Sequence, residues 1–211
     1  MRTLAIDCAT EACSVALFEG DALLAGDFRV LGRGHAEQLV PMIASLPDKG
    51  RAGRILVALG PGSFTGVRVG VAAAKALGLA WQAEVLGYPT LALVAAMARS
   101  EGSAGPLAVV MTGGHGEWFV QPFDDAGTPR REVASLRPDD AAAQVAEAAL
   151  AGTQAQALAD LRGHGEASVL LPDARSALLL DPCLLTSAVQ PHYGRPPDAR
   201  LPVSKQPAGS R

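Results

Sequence analysis

Short apolar runs punctuated by turn residues open the chain, and longer stretches with helical period follow. Leu4 to Asp7 reads as a buried strand ending in a carboxylate, and the turn Cys8-Ala9-Thr10-Glu11-Ala12 leads into a second strand, Cys13 to Phe18. Glu19-Gly20-Asp21 marks a hairpin into a third strand, Ala22 to Phe28. From His35 to Leu46 the period changes to that of a helix, with His35, Leu39, Met42, Ile43 and Leu46 on one face and Glu37 and Ala44 opposite. Pro41 lies inside it and cannot donate to the carbonyl of Glu37, so a loosened turn is expected there. His35, at the head of the apolar face, reads as a capping or packed residue.

A fourth strand, Ile55 to Leu59, feeds a glycine-proline-glycine turn that opens a long helix from Ser63 to Trp81, with Ser63 as N-cap. A parallel strand at Val85 to Leu86 and a helix from Leu91 to Arg99 complete a β-β-β-α-β-α-β-α lobe. Glu101 to Pro106 is the best linker. Beyond it the pattern restarts: strand Leu107 to Met111, turn Thr112 to Gly116, strand Glu117 to Phe123 and hairpin Asp124 to Gly127. An alanine-rich helix is expected from Pro138 to Leu150, a strand at Gln156 to Ala159 and a helix from Asp173 to Leu180. The predicted organisation is a first lobe over 1–103, a second over 104–190 and a proline- and arginine-rich tail over 191–211.

The Ser63–Trp81 segment shapes the reading most. At 100° per residue Gly66, Gly70, Ala74 and Gly78 fall on one stripe, with the helix's two charges, Arg68 and Lys75, opposite. A glycine inside a helix costs about 1 kcal/mol relative to alanine, so the spacing requires a close packing partner, either the chain's own core or another protein. A membrane span is rejected: the segment is short of the roughly 20 apolar residues needed and carries two cations near its middle.

Composition narrows the class. The 211 residues are 49% hydrophobic but only 4% aromatic, which suits helix-on-sheet layers built from Ala, Val and Leu. A net charge of −3 argues against a surface that grips nucleic acid unaided. Three cysteines without a C-x-x-C give neither a disulfide framework nor zinc spacing. The first apolar run is too short for a signal peptide, so a reduced, cytoplasmic protein is expected.

Gly60-Pro61-Gly62-Ser63-Phe64-Thr65-Gly66 follows a strand and opens a helix, a place that favours anions. It lacks the Gly-Lys-Ser/Thr of a Walker A loop and the position and spacing of a dinucleotide fingerprint. His35, His115, His164 and His192 are scattered with no metal-binding spacing, and no G-x-S-x-G elbow is present. The candidate nucleotide or anion site is therefore Asp7, Thr10, Gly60, Gly62, Ser63, Thr65 and Gly66, with no catalytic residue and no metal ligand assigned.

Three ordered motifs resemble the TsaB (YeaZ) family: Ala5-Ile6-Asp7-Cys8-Ala9-Thr10-Glu11-Ala12-Cys13-Ser14-Val15-Ala16-Leu17, His35-Ala36-Glu37-Gln38-Leu39-Val40-Pro41, and Gly60 through Gly70. Pro191 to Ala199 resembles the family's closing segment. The resemblance implies a two-lobed actin-like ATPase fold (sugar kinase/Hsp70-type, ribonuclease H-like), α/β with mixed sheets flanked by helices. It implies a non-catalytic subunit of the machinery that makes N6-threonylcarbamoyladenosine at position 37 of tRNA. Its expected partners are the related catalytic subunit TsaD and the ATPase TsaE, with tRNA reached only through the complex, and a homodimer when TsaD is absent. No cofactor of its own is implied, and whether ATP or ADP sits at the partner interface is left open by the sequence. The interface residues implied are His35, Leu39, Met42, Ile43, Leu46, Val67, Gly70, Val71, Ala74 and Gly78.

The sequence departs from active relatives at three places. Gly87-Tyr88-Pro89-Thr90 stands where the catalytic subunit carries a His-x-x-x-His pair, Ala9 replaces a first-turn glycine, and Thr112-Gly113-Gly114 replaces an Asp-Ala-Arg hairpin. These point to a degenerate cleft. The alternatives are an active ATPase or small-molecule kinase of the same fold, and a glycoprotease-like peptidase.

Overall fold

The computed structural model describes residues 1–194; the expected tail beyond Gly194 lies outside the described residues. In the first half β1 (Arg2–Asp7), β2 (Ala12–Glu19) and β3 (Ala22–Val30) form an antiparallel meander. It is followed by α1 (His35–Ser45), β4 (Arg54–Ala58), α2 (Phe64–Trp81), β5 (Glu84–Tyr88) and α3 (Thr90–Ser100). The sheet order is β3-β2-β1-β4-β5, with β4 parallel to both β1 and β5.

The second half repeats this plan. β6 (Leu107–Thr112), β7 (Trp118–Phe123) and β8 (Ala134–Leu136) form the meander, then come α4 (Pro138–Gln144), β9 (Ala149–Ala151), α5 (Ala155–Arg162) and β10 (Glu166–Ser168). The order β10-β9-β6-β7-β8 places a parallel β9 beside β6 and a parallel β10 beside β9, as in the first sheet. The echo between the halves is thus a shared strand order.

Two expectations in this half are corrected. The alanine-rich run is helical only to Gln144, because Ala149–Ala151 is drawn into the parallel ladder between β6 and β10. Gln156 to Ala159 belongs to helix α5, not to a strand, with Ala155, Leu158 and Ala159 turned inward at helical spacing.

Residues after Ser168 return to the first sheet. Asp173 caps a 3-10 turn, Ala174–Leu179, where a longer helix was expected. The Ala174 amide donates to Ser14 Oγ at 2.9 Å, Thr186 bridges Gly87 at the β5 edge, and the His192 amide donates to the Leu59 carbonyl at 2.7 Å. Arg99, at the end of α3, clamps the Glu101–Pro106 linker by donating to the carbonyls of Gly105, Asp124 and Asp125. The larger of two apolar clusters among the described residues runs through both sheets, with Leu107, Val109, Met111, Phe119 and Phe123 packed in the same cluster as Leu4, Ile55 and Leu91.

The helices of the first half bury the residues of the implied interface against the chain's own core. His35, Leu39, Met42, Ile43 and Leu46 are buried beneath α1, and Val67, Gly70, Val71, Ala74 and Gly78 are buried beneath α2. All ten are core residues. The imidazole of His35 sits 3.2 Å from the Ala12 carbonyl through Nε2, as a packed residue would. The reason for the glycines is backbone and side-chain approach within the chain. A Cβ at Gly66 would collide with the Cys8 carbonyl, and one at Gly78 would collide with Val85, whereas one at Gly70 would find its nearest neighbours 3.6 Å away. What faces outward is the opposite side: Val40, Pro41 and Ala44 on α1, and Ala72, Lys75, Ala76, Leu79 and Ala80 on α2.

Gly66→Ala is therefore expected to lose on the order of 3 kcal/mol or more, because the obstruction is backbone and cannot rotate away. Gly70→Ala is expected to be neutral or to gain up to about 1 kcal/mol from helix propensity. Urea unfolding of the two variants checks the contrast.

Candidate functional site

The two first turns, after β1 and after β6, face each other across a cleft of about 980 Å³. Thr10 and Glu11 line one wall, and Thr112, Gly113 and Gly114 line the other. The second turn is tight because a Cβ at Gly113 would lie 2.6 Å from the Glu117 carbonyl. Thr112 Oγ1 accepts from Gln154 Nε2 at 2.8 Å, and the Thr112 amide donates to Thr153 Oγ1 at 2.9 Å, so this wall is a small hydroxyl and amide network.

The glycine turn before α2 sits directly on the first turn. A Cβ at Gly62 would collide with the Ala9 carbonyl, and the Ser63 amide donates to that same oxygen at 2.7 Å. Ser63 Oγ accepts from the Gly66 amide at 3.2 Å, the expected N-cap. Gly60 gives its carbonyl to the Thr90 amide at 3.0 Å. Of the proposed anion site, Thr10, Gly62 and Ser63 line the cleft and Thr65 is exposed on the first turn of α2. The Ser63 and Gly66 amides are taken internally, which leaves less of a cradle than the sequence suggested.

Asp7 is separated from the others. It is 1% exposed, its Oδ1 accepts from the Ala9 amide at 2.9 Å, and its Oδ2 accepts from Tyr88 Oη at 3.1 Å. Tyr88 Oη also lies 3.1 Å from the Ile6 carbonyl. Burial raises the Asp7 carboxyl from 3.8 to about 7, with the Asp173 charge adding to the rise, while the Ala9 amide and the Tyr88 hydroxyl oppose it. The same burial pushes the Tyr88 phenol well up. Cys8 and Cys13 are buried free thiols with their sulfurs 3.5 Å apart; the contact with Cys13 and burial hold the Cys8 thiol high.

Sequence reasoning missed the cleft mouth. Phe64 and Tyr193 lie with ring centroids 5.2 Å apart, Arg68 stacks its guanidinium 3.6 Å over Phe64, and Arg68 Nε donates to Tyr193 Oη at 2.9 Å. The only signal was Phe64 and Arg68 at i and i+4 on the outer side of the helix. Tyr193 is too distant in sequence to be placed by pattern. Among the described residues no group of three or more metal-ligating side chains comes together, and no helix is long and apolar enough to cross a membrane.

Residues 29–175 match the family described as TsaD: tRNA N6-adenosine threonylcarbamoyltransferase. The tRNA threonylcarbamoyladenosine biosynthesis protein TsaB of Escherichia coli is 40% identical over 116 residues, covering 52% of this chain and 50% of that protein. TsaB of Bacillus subtilis is 38% identical over 90 residues, covering 40% of this chain and 38% of that protein. The chain thus spans about half the length, or less, of the curated relatives it matches. Solved structures align over far more. YeaZ from Pseudomonas aeruginosa has a TM-score of 0.75 at 28% identity over 91% of this chain and 99% of its own. The structure of a protein with similarity to peptidase YeaZ from the same organism gives 0.72 at 30% identity over 84% and 88%. The ethanolamine utilization protein EutJ of Carboxydothermus hydrogenoformans, at 13% identity and a TM-score of 0.50, shares the fold alone. The fold is of the actin-like ATPase type expected from sequence.

Asp7 carries a pH prediction. Its folded pKa is raised, so its contribution to stability is fully present below about 3.8 and is lost as pH rises through about 7. Asp7→Asn keeps an oxygen for the Ala9 amide and removes the buried charge. At pH 8 the variant is expected to be more stable than wild type by on the order of 2–4 kcal/mol. The difference is expected to shrink steadily towards pH 4, read from melting curves across that range.

Proposed function

Because the chain belongs to the TsaB (YeaZ) family and matches a TsaD-type domain over residues 29–175, we propose that it is a scaffold subunit in N6-threonylcarbamoyladenosine modification of tRNA. It binds a related TsaD-type catalytic subunit and supports that subunit's chemistry without performing it. An ATPase of the TsaE type is the further partner, and tRNA is reached through the assembly. In the absence of the catalytic subunit the same surface pairs two copies of the chain.

The observation that carries this reading is the pairing of a sealed acid with an uncovered helix face. Asp7, the one carboxylate at the end of β1, is bonded to Tyr88 and 1% exposed, so it does not reach the cleft as a reacting group. The outer side of α1 and α2 instead offers Val40 at 62% exposure and Leu79 at 84%, set among Pro41, Ala44, Ala72, Ala76 and Ala80. Small side chains let a facing helix approach closely, and Glu37, Arg68 and Lys75 are exposed on the same outer side. This surface replaces the glycine stripe as the docking face.

Leu79→Asp and Val40→Asp place a charge at the centre of that face without touching the core. Each is expected to weaken binding to the TsaD-type subunit at least about tenfold, measured by calorimetry on the purified pair, with the melting temperature of the free chain unchanged. Wild-type affinity in both variants overturns the assignment.

A further inference from the structure

We infer that Cys8 and Cys13 are a modification site: a dithiol that hydrogen peroxide converts to an intramolecular disulfide, locking the turn on which α2 is seated. The site lies inside the chain and does not depend on the scaffold role. β1 and β2 pair antiparallel from Arg2 opposite Glu19 to Asp7 opposite Ser14, so the next step of that register sets Cys8 opposite Cys13. Directly opposed residues of an antiparallel pair have Cα atoms about 4.5–5.5 Å apart, inside the range of about 4.4–6.8 Å that a disulfide spans. The two sulfurs are already 3.5 Å apart. Closing them to a bond of about 2.05 Å is within the reach of side-chain rotation. A buried thiol is ordinarily inert; here each sulfur has a second one beside it to react with.

The contact between them also divides the chemistry. Cys8 holds the Cys13 thiol low against the effect of burial, while the same contact and burial hold Cys8 high. Cys13 is therefore the sulfur that attacks. Its thiolate takes one oxygen of hydrogen peroxide, the O–O bond breaks, and the departing hydroxide picks up the thiol's proton as water. The Cys8 sulfur then attacks the Cys13 sulfenic acid. The S–S bond forms as the S–O bond breaks, and the hydroxyl leaves with the Cys8 proton as a second water. Each sulfur gives up one electron, and peroxide takes the two. Thr10 and Glu11 lie between the cysteines in sequence and line the cleft, so peroxide enters from that side. Cys8 is 2% exposed and Cys13 0%, so the turn must open locally for it to pass, and the reaction is slower than at the exposed Cys183.

The turn carries contacts that seat both helices of the first half. The Cys8 carbonyl lies against Gly66, the Ala9 carbonyl accepts from the Ser63 amide at 2.7 Å, and the Ala12 carbonyl lies 3.2 Å from His35 Nε2 at the head of α1. A bond between Cys8 and Cys13 pins the backbone that carries all three.

The test uses the full chain carrying Cys183→Ser, treated with hydrogen peroxide, alkylated in denaturant and read by mass spectrometry. The peptide holding both cysteines is expected to lose two hydrogens and take up no alkylating agent, and dithiothreitol is expected to reverse this. The oxidised chain is expected to melt at least about 3 °C higher than the reduced one, with slower amide exchange at Ser63. With Cys8→Ala added, Cys13 is expected to be trapped as a dimedone adduct. Two thiols still open to alkylation after peroxide overturn the inference, as does oxidation of either cysteine only to the sulfinic acid. An oxidised chain that melts no higher than the reduced one overturns the lock.

Discussion

The structure depends on one close approach of backbone to backbone. Gly62 and Gly66 lie against the carbonyls of Ala9 and Cys8, where no side chain fits, and the Ser63 amide closes the contact by donating to Ala9. Three consequences follow together. The N-terminus of α2 is locked onto the first turn of the chain. The stripe that contains Gly70, Ala74 and Gly78 is pressed onto β4 and β5. The other side of α2, with Leu79 and its alanines, is left facing outward.

The same contact decides what the cleft can do. By taking the Ser63 amide for the chain's own carbonyl, it removes part of the anion cradle that such a turn offers elsewhere. Asp7 is drawn in the opposite direction, under Tyr88. In the sheet register Ile6 pairs with Val57, and Ala58 pairs with Tyr88, so Asp7, Ala58 and Tyr88 follow one another across three strands. The phenol thus reaches the carboxylate at a point where the intervening residue is small. A group buried this way is maintained at a cost in stability at neutral pH, consistent with its holding β1 and β5 in place while the cleft mouth is left to Phe64, Arg68 and Tyr193.

How legible this was in the sequence varies along the chain. The meander, the two first-lobe helices and the Ser63 cap could be read because each carries strong local signals: turn residues, a helical period and a hydroxyl at the right offset. The glycine stripe announced close packing, which the chain's own strands supply, but α2 is apolar on both sides, so its pattern could not say which side met the core. The residues that the family resemblance offered as interface proved to be the buried ones. In the second half, alanine favours helix wherever nothing opposes it, and Ala149–Ala151 becomes a strand only because β6 and β10 flank it, a tertiary effect. The Asp7–Tyr88 bond and the Arg68–Tyr193 bond join residues 81 and 125 positions apart, beyond the reach of any local pattern.

The central claim is that α2 shows its glycine side to its own sheet and its alanine and leucine side to a partner. Methyl cross-saturation NMR on the isotopically labelled chain, in complex with an unlabelled TsaD-type subunit, measures this directly. The account predicts attenuation of the methyl signals of Val40, Ala72, Ala76 and Leu79, with those of Val71 and Ala74 unaffected. Attenuation at Val71 and Ala74, or at no methyl of α1 and α2, would contradict it.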